Sequence, residues 1–201
     1  MFTGIVENTA EVIEIIIEGS NLIFLMKSKL ASELKIDQSL SHNGVCLTVT
    51  DVKANTYRVT AVDETLQKTT IKHWRVGSKV NIERCMPVSG RFDGHIVQGH
   101  VDEVGICTHI KELDGSWLFD FRYVNTSTNM TVEKGSICIN GVSLTVFNSE
   151  SHSFRVTIIP YTYQFTNFHQ MSVNDSVNLE FDILGKYIQK ILNKNVTLQE
   201  T

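Results

Sequence analysis

The sequence predicts an all-β fold of two tandem closed antiparallel barrels, and two observations carry that prediction. The first is an internal repeat: the stretch 39–49 returns as 136–146, an offset of 97 residues, with seven of the eleven positions identical. Two further pairs share this offset, namely 57–60 with 154–157 and 76–83 with 173–180. The chain of 201 residues therefore holds two copies of one module, each about 95 residues long and within the usual size of a domain.

The second observation is a series of short alternating segments separated by Gly, Asn and Asp rather than by Pro. Residues 5–17 place Val6, Ala10 and Val12 on one face and polar residues on the other, as in a strand with one wet side. Asn43-Gly44 between alternating flanks predicts a tight hairpin turn. The other elements expected in the first module are strands over 21–26, 45–50, 57–62 and 79–83, and a short helix over 27–34.

The second module begins near 96–101 and follows the same order. Trp117, Phe119, Phe121 and Tyr123 share one face of a predicted strand and form a core stripe. The other elements expected are a short helix over 126–132, the repeated stretch 136–146, and strands over 154–159 and 176–181. Each module therefore has about six short strands, which favours closed barrels over alternating strands and helices.

After Asp182 the pattern changes to that of a helix with one apolar stripe, formed by Ile183, Leu184, Tyr187, Ile188, Ile191 and Leu192. The stripe lies outside both repeats and has no equivalent core to cover, so we expect it to meet another chain. The predicted domains are a first barrel over 1–90, a second barrel over 91–182, and an oligomerisation helix and tail over 183–201. The short polar stretch 87–94 predicts a close junction between the barrels.

Composition excludes several classes of function. A formal net charge of −4 gives no electrostatic reason to bind nucleic acid or an anionic membrane. No apolar run approaches the roughly 18–20 residues of a spanning helix. The first residues contain no basic region followed by an apolar core, so we expect no secretory signal. The 4 cysteines, at positions 46, 85, 107 and 138, are expected to be free thiols in the cytoplasm.

Strand parity indicates where a site could lie. In the stretch 45–49, alternate apolar residues share the face that fills the barrel, and the opposite face carries Cys46 and Thr48. The second copy places Ser143 and Thr145 in the same positions. These pairs are either the solvent side of half-buried strands or the polar residues of two related pockets, and parity does not choose between these interpretations.

The other chemical signals are negative or local. The spacing of His95, His100 and Cys107 matches no common zinc signature, so we expect no metal. Glu64-Thr65 and Tyr161-Thr162 are equivalent in the repeat and follow strand ends, as capping or turn residues also do. The sequence contains no glycine-rich phosphate loop, dinucleotide fingerprint or nucleophile elbow.

Four segments together resemble the riboflavin synthase family of the α-chain type, and the resemblance covers residues 1 to about 192. They are the opening Met1-Phe2-Thr3-Gly4-Ile5-Val6-Glu7, the stretch 42–49, Gly94-His95 with Gly99-His100, and the stretch 140–146. The resemblance implies two six-stranded Greek-key barrels and a C-terminal helix that holds a homotrimer. It implies a transferase of the last step of riboflavin biosynthesis, in which two molecules of 6,7-dimethyl-8-ribityllumazine dismutate by four-carbon transfer. The products are riboflavin and 5-amino-6-ribitylamino-uracil, and the reaction needs no cofactor.

The resemblance also implies the site. Its catalytic candidates are His100 for proton transfer, Ser39 and Cys46 for the nucleophile at the acceptor, Ser143 and Thr145 for positioning, and Asp182. The implied substrate-binding residues of the first module are Gly4, Ile5, Val6, Cys46, Leu47, Thr48, Thr60, Ala61, Val62, Glu64 and Thr65. Those of the second module are Gly99, His100, Val101, Lys134, Ser143, Leu144, Thr145, Ile159, Pro160, Tyr161 and Thr162. An association with lumazine synthase is a further expectation.

One departure and two alternatives accompany this interpretation. The second module has Tyr161-Thr162-Tyr163 where the family often has Glu-Thr-Leu, whereas the first keeps Glu64-Thr65-Leu66, so we expect the tighter pocket in the first barrel. A non-catalytic lumazine-binding antenna protein is one alternative, but such proteins tend to lose polar catalytic residues. A flavin-binding reductase barrel is the other. The residue order around Arg58 does not fit it, and no nicotinamide-binding half follows.

Overall fold

The computed structural model describes residues 1–124 and 129–197, and within them the chain forms two closed six-stranded antiparallel barrels. The first barrel contains β1 (Asn8–Glu18), β2 (Asn21–Lys27), β3 (Ser39–His42), β4 (Val45–Lys53), β5 (Thr56–Ala61) and β6 (Lys79–Arg84). The second contains β7 (Glu103–Leu113), β8 (Ser116–Arg122), β9 (Ser136–Ile139), β10 (Val142–Phe147), β11 (Ser153–Ile158) and β12 (Ser176–Phe181). The helices are α1 (Asp63–Lys68), α2 (Pro160–Phe165) and α3 (Ile183–Thr197).

Both barrels have the same Greek-key topology. The first closes in the order β1-β2-β5-β4-β3-β6, and the second repeats that order as β7-β8-β11-β10-β9-β12. In each, three strands joined by hairpins are followed by a fourth that returns beside the first of them. The predicted fold class is therefore confirmed, and closure leaves neither sheet with an open edge.

The predicted strand faces are confirmed by burial. Val45, Leu47 and Val49 fill the first barrel, while Cys46 is half-buried and Thr48 is exposed. Asn43 and Gly44 both have positive φ values, 47° and 78°, which is the tight hairpin geometry that an Asn-Gly pair favours. The register that follows from this turn aims every second side chain of β4 into the barrel.

The second barrel has an aromatic core. Phe119 and Phe121 on β8 are fully buried beside Phe154 and Phe181, and Tyr123 packs against the last two rings. Trp117, at the start of the same stripe, stacks on a tyrosine of α2 with ring centroids 3.8 Å apart. The predicted core stripe therefore extends from the barrel interior to its rim.

One helix prediction is confirmed in altered form, and the other fails in the part of its segment that the structure describes. The segment 27–34 forms a single 3₁₀ turn, Lys29–Glu33, whose first backbone donor is capped by the Ser28 hydroxyl. Of the segment 126–132, residues 126–128 lie outside the described part of the chain, and 129–132 contain no helix. The Thr131 hydroxyl instead hydrogen-bonds to the Ser149 hydroxyl, which connects this stretch to the loop after β10.

The two barrels pack through their equivalent Asn-Gly turns. A Cβ atom on Gly44 would lie 2.9 Å from the Gly141 nitrogen, and a Cβ on Gly141 would lie 2.8 Å from the Gly44 nitrogen. Asn81 donates from Nδ2 to the Asn140 carbonyl (2.9 Å), and Asn178 donates to the Asn43 carbonyl at the same distance. The contacts are reciprocal, so a pseudo-twofold axis runs between the two turns. The domain boundary near residue 90 stays a prediction; β6 ends at Arg84 and β7 begins at Glu103.

The C-terminal helix α3 carries an exposed apolar stripe, as the sequence predicts. Leu184, Tyr187, Ile188, Ile191 and Leu192 are each more than half exposed. The helix is anchored at its start, where Lys186 pairs with Asp102 and Asp182 accepts from the Leu184 backbone. Within the two described ranges, no helix is long and apolar enough to span a bilayer.

Candidate active site

Two short straps, residues 2–6 and 97–101, precede the first strand of each barrel and pair with one another. Phe2 donates to the Val97 carbonyl (2.7 Å) and Val97 donates back to Phe2 (3.1 Å). Both side chains are fully buried in a small core with Cys138, against which Cys46 also packs. The straps therefore join the barrels directly beside one of the predicted site residues.

Each strap lies on the barrel of the other module. The backbone of Ser143 on β10 donates to the Gly4 carbonyl (2.7 Å), and Cys46 on β4 donates to the Gly99 carbonyl (2.8 Å). Val6 packs against the core of the second barrel, and Val101 packs against the core of the first. Grouping by sequence module is therefore wrong for Gly4 and Val6, which contact the second barrel, and for Gly99 and Val101, which contact the first. Ile5 instead lines a cavity with residues of its own module.

Glycine is required where the straps cross the strands. Gly4 and Gly99 have φ values of 76° and 81°, a conformation that other residues rarely adopt. A Cβ atom on Gly4 would lie 2.6 Å from the Ser143 Cβ, and one on Gly99 would lie 2.6 Å from the Cys46 Cβ. The strap backbones therefore lie directly against Ser143 and Cys46.

The first-barrel site gathers Ser39, Cys46 and His100. Ser39 lies on β3, directly opposite Thr48 of β4. Burial raises the pKa of the Cys46 thiol, and a hydrogen bond from Ser39 opposes that rise. The His100 side chain is exposed and its backbone nitrogen is fixed by Glu180 (3.0 Å). Cys46 is therefore a neutral thiol at neutral pH in the free chain, and His100 follows the strap glycine whose carbonyl accepts from the Cys46 backbone.

The other predicted lining residues of this barrel differ in exposure. Leu47 and Ala61 are core side chains, so a ligand would meet only their backbone. Thr60 and Thr65 are half-buried, and Val62 is about half exposed at the rim. Glu64 points into solvent and forms an ion pair with Lys68 one turn along α1 (2.7 Å), so no contact within the chain commits it to a pocket.

The second-barrel site gathers Ser143, Gly4 and a histidine to which the sequence alone assigned no role. His95 Nδ1 lies 2.7 Å from the Ser143 hydroxyl, and burial lowers the pKa of this imidazole while the charge of Asp182 opposes that change. The Gly94-His95 pair belongs to the resembling segments and was the available signal. Asp182 is thus brought near Ser143 through His95, although it also caps α3.

The rest of this site has an apolar exposed rim, where its counterpart carries Glu64. Leu144 and Thr162 are half-buried and Thr145 is exposed. Ile159, Pro160 and Tyr161 are exposed at the rim, whereas Ile5 lines a cavity with Ser39 and Glu83 of the first barrel. Tyr161 contacts Phe165 at a ring-centroid distance of 4.6 Å, at the two positions that hold Glu64 and Lys68 in the first module.

Lys134 lies apart from both polar pairs. It sits in a turn with a φ of 65°, its backbone bonds to Val146, and its ammonium lies 5.6 Å from the Phe147 ring centroid. Val146 is at the far end of β10 from Ser143, so Lys134 borders the opposite end of the strand. Across residues 1–124 and 129–197, no three His, Cys, Asp or Glu side chains are close enough together to hold a metal ion.

Comparison with known proteins agrees with this geometry. The lumazine binding domain family matches the chain twice, over residues 3–85 and 98–182, so the duplicated barrel is a pair of lumazine-binding domains. The riboflavin synthase of Bacillus subtilis (strain 168) is 37% identical over 96% of this chain and 91% of its own length. That of Mycobacterium bovis is 34% identical over 96% of this chain and 98% of its own. The chain belongs to the riboflavin synthase family.

Solved structures share the architecture. LumP in complex with 6,7-dimethyl-8-(1'-D-ribityl) lumazine superposes with a TM-score of 0.81 over 90% of this chain and 99% of that one, at 19% identity. LumP in complex with riboflavin gives a TM-score of 0.82, over 90% of this chain and 98% of the other, at 21% identity. At these identities the likeness establishes the fold.

Proposed function

We propose that this member of the riboflavin synthase family converts two molecules of 6,7-dimethyl-8-ribityllumazine into riboflavin and 5-amino-6-ribitylamino-uracil. The observation that carries the proposal is the pair of matched sites around Cys46 and Ser143, which occupy equivalent strands and are each covered by a glycine of a strap. Two similar pockets suit a reaction whose two substrates are the same compound. One molecule donates a four-carbon unit and the other accepts it.

The reaction consumes only this one compound. The atoms of the two products sum to those of two substrate molecules, so the oxidation of one molecule is matched by the reduction of the other. The reaction begins with loss of a proton from the methyl group on C7, whose anion delocalises into the ring, and a modest base is sufficient. Addition of a nucleophile to the acceptor ring then prepares it for attack by that carbanion.

The chain offers groups for each of these tasks. His100 carries an exposed imidazole, follows the glycine whose carbonyl accepts from the Cys46 backbone, and is proposed to transfer the proton. Ser39 and Cys46 are hydrogen-bonded to each other and are proposed to deliver the nucleophile at the acceptor. In the other barrel, Ser143 with its hydrogen-bonded imidazole of His95 is proposed to orient the partner molecule, together with Thr145 and Asp182.

Assembly is proposed to bring the two substrates together. Within one chain the barrels meet at their Asn-Gly turns, and the apolar stripe of α3 is uncovered. We propose a homotrimer in which the first barrel of one subunit faces the second barrel of its neighbour. Holding the two molecules in contact makes the step nearly unimolecular, an advantage of up to roughly 7–11 kcal/mol. A cytoplasmic location and an association with lumazine synthase remain predictions, the latter tested by co-sedimentation of the two purified proteins.

The experiment is a turnover assay. Purified protein is mixed with 6,7-dimethyl-8-ribityllumazine in the presence of EDTA and without added cofactor, and riboflavin is followed by absorbance. The proposal expects one riboflavin for every two substrate molecules consumed. Tight binding of the lumazine without product would overturn it in favour of a lumazine-carrying protein.

A further inference from the structure

Two buried carboxylates hold the straps in place. Glu83 on β6 is 5% exposed and accepts from the Thr3 backbone (2.7 Å), the Thr3 hydroxyl (2.8 Å) and the Gly4 backbone (3.0 Å). Glu180 on β12 is 3% exposed and accepts three backbone N–H groups, from Gln98 (2.6 Å), Gly99 (2.9 Å) and His100 (3.0 Å). The two glutamates are equivalent in the repeat, since 83 and 180 differ by the same 97 residues.

The arrangement is crossed between the barrels. Glu180 lies on the second barrel, but the strap that it holds contains Gly99, whose carbonyl accepts from the Cys46 backbone of the first barrel. Glu83 stands on the first barrel, and the strap that it grips receives Ser143 of the second. Each carboxylate is therefore connected through one strap to the site of the barrel to which it does not belong.

We propose that Glu180 is the positioning residue of the first-barrel site and that Glu83 is the positioning residue of the second-barrel site. Glu180 fixes the backbone on which His100 is carried and seats Gly99 over Cys46. Glu83 does the same for Gly4 over Ser143. The inference rests on the proposed function for its kinetic consequence, but the geometric consequence can be measured without turnover.

The chemistry of the contact explains why a carboxylate is needed. Each side chain receives three donors on two oxygens, which an ionised carboxylate accepts without competition. Glutamine offers one acceptor oxygen and an NH₂ group that would face a backbone N–H. Burial raises the pKa of both carboxyls while the backbone donors of the straps oppose this rise, so the strap itself supports the charged form.

The test uses Glu180→Gln and Glu83→Gln as matched controls for each other. The first readout is the rate at which iodoacetamide alkylates Cys46, followed by mass spectrometry of its peptide. The second is the same rate at a thiol introduced by Ser143→Cys in each background. We expect Glu180→Gln to change the alkylation rate of Cys46 by about fivefold or more and to leave the rate of the introduced thiol within about twofold. Glu83→Gln should change the rate of the introduced thiol by about fivefold or more and leave that of Cys46 within about twofold. Equal changes at both thiols, or a change confined to the altered barrel, would overturn the proposal.

Two additions keep the result interpretable. Glu180→Asp and Glu83→Asp retain the charge but cannot reach the strap, so they must give the same crossed pattern if the glutamine variants fail to fold. In turnover, Glu180→Gln should alter the pH profile of kcat, because it moves His100, whereas Glu83→Gln should keep the shape of that profile. A wild-type chain that makes no riboflavin would refute the proposed function, and the alkylation pattern would still test the positioning roles independently.

Discussion

At the scale of single residues, the closeness of the straps to the sites depends on the absence of a Cβ atom. Gly99 lies against the Cys46 side chain and has a positive φ, and Gly4 has the same relation to Ser143. No other residue type could occupy these positions without moving the strap backbone. In the proposed site, the two strap glycines would therefore act by letting the strap backbone approach the strand, without any contact of their own with substrate.

We predict that Gly99→Ala lowers the free energy of unfolding by about 1–3 kcal/mol and reduces turnover, because a methyl group is forced into Cys46. The control is Gly19→Ala, at a φ of 61° but with no atom within 4 Å of the added Cβ, so it reports backbone strain alone. Urea unfolding of both variants measures the difference. Equal losses of stability would show that the contact with Cys46 contributes nothing.

His100 is the residue whose removal should affect the chemistry most directly. Loss of a general acid or base typically lowers kcat by roughly 10²–10⁴, with a smaller effect on KM. We therefore expect this fall for His100→Ala, measured by riboflavin formation at saturating substrate. His109→Ala, at an exposed position on β7, is the control and should retain wild-type activity. Full turnover by His100→Ala would remove His100 from the mechanism.

His42 is buried outside the proposed site and makes stability depend on pH. Its Nε2 lies 2.9 Å from the Tyr57 hydroxyl and its Nδ1 lies 3.0 Å from the Leu40 carbonyl. Burial lowers its pKa to about 4 from an ordinary value of 6.5. Because the folded-state pKa is the lower one, its contribution is present above pH 6.5 and is lost as the pH falls toward about 4.

The expected loss from this imidazole is roughly 2 kcal/mol between pH 7 and pH 5, at about 1.4 kcal/mol per pK unit. Comparison of wild type with His42→Gln isolates it from other titrating groups, including the two buried glutamates. Urea midpoints at the two pH values should converge in the variant. A variant as sensitive to acid as the wild type would assign the pH dependence to other groups.

At the scale of elements, α3 is attached at its first turn and uncovered along its apolar stripe. Asp102 directly follows the second strap and accepts from both Lys186 and the Phe181 backbone, so the helix is connected to the strap that carries His100. An apolar stripe left exposed on one short helix is unusual for a monomer and fits a surface between copies of the chain.

We predict that Ile188→Glu converts the assembled protein into monomers and lowers turnover with it, because a carboxylate would be buried in the contact between subunits. Ile188 is 59% exposed in the isolated chain, so the change leaves the barrels folded. Lys190→Glu, an exposed position on the same helix, is the control for charge. Sedimentation velocity and circular dichroism check assembly and folding separately. An unchanged sedimentation coefficient for Ile188→Glu would exclude the stripe from the assembly.

At the scale of the whole molecule, the two modules are interlocked. Each strap packs on the other barrel, and the two Asn-Gly turns are in contact. Across the junction, the backbone N–H of Thr70 donates to the Asn178 side chain, and that of Asn167 donates to the Asn81 side chain. Each module therefore contributes hydrogen bonds that complete the other. Separation of the barrels would expose the buried Phe2 and Val97 together with these polar groups.

We predict that the two barrels unfold in one cooperative transition. The chain has 2 tryptophans, Trp74 in the first barrel and Trp117 in the second, so Trp74→Phe and Trp117→Phe leave one fluorescent reporter for each barrel. The urea midpoint of each variant, followed by fluorescence, should coincide with the midpoint of the same variant followed by circular dichroism. A fluorescence midpoint displaced from the circular dichroism midpoint would show that one barrel survives the loss of the other.

Much of the fold could be predicted because its signals are local. Strand alternation, the Asn-Gly turns and the 97-residue offset all lie within a few residues or repeat along the chain, and they predicted both barrels and their core faces. The helix expected over 126–132 is absent from 129–132. There the second module differs from the first, because Thr131 forms a side-chain hydrogen bond with Ser149.

The sequence by itself determined the duplication, the barrel cores, the family and the positions of Cys46, His100 and Ser143. Only the tertiary structure decided that each strap crosses to the other barrel, that Glu83 and Glu180 hold the straps, and that His95 reaches Ser143. The physical reason is that periodicity reports which face of a strand is buried, whereas it carries no information on which of two similar surfaces covers that face. Between two barrels of the same design, that choice is made by contacts between residues some fifty to a hundred and forty positions apart.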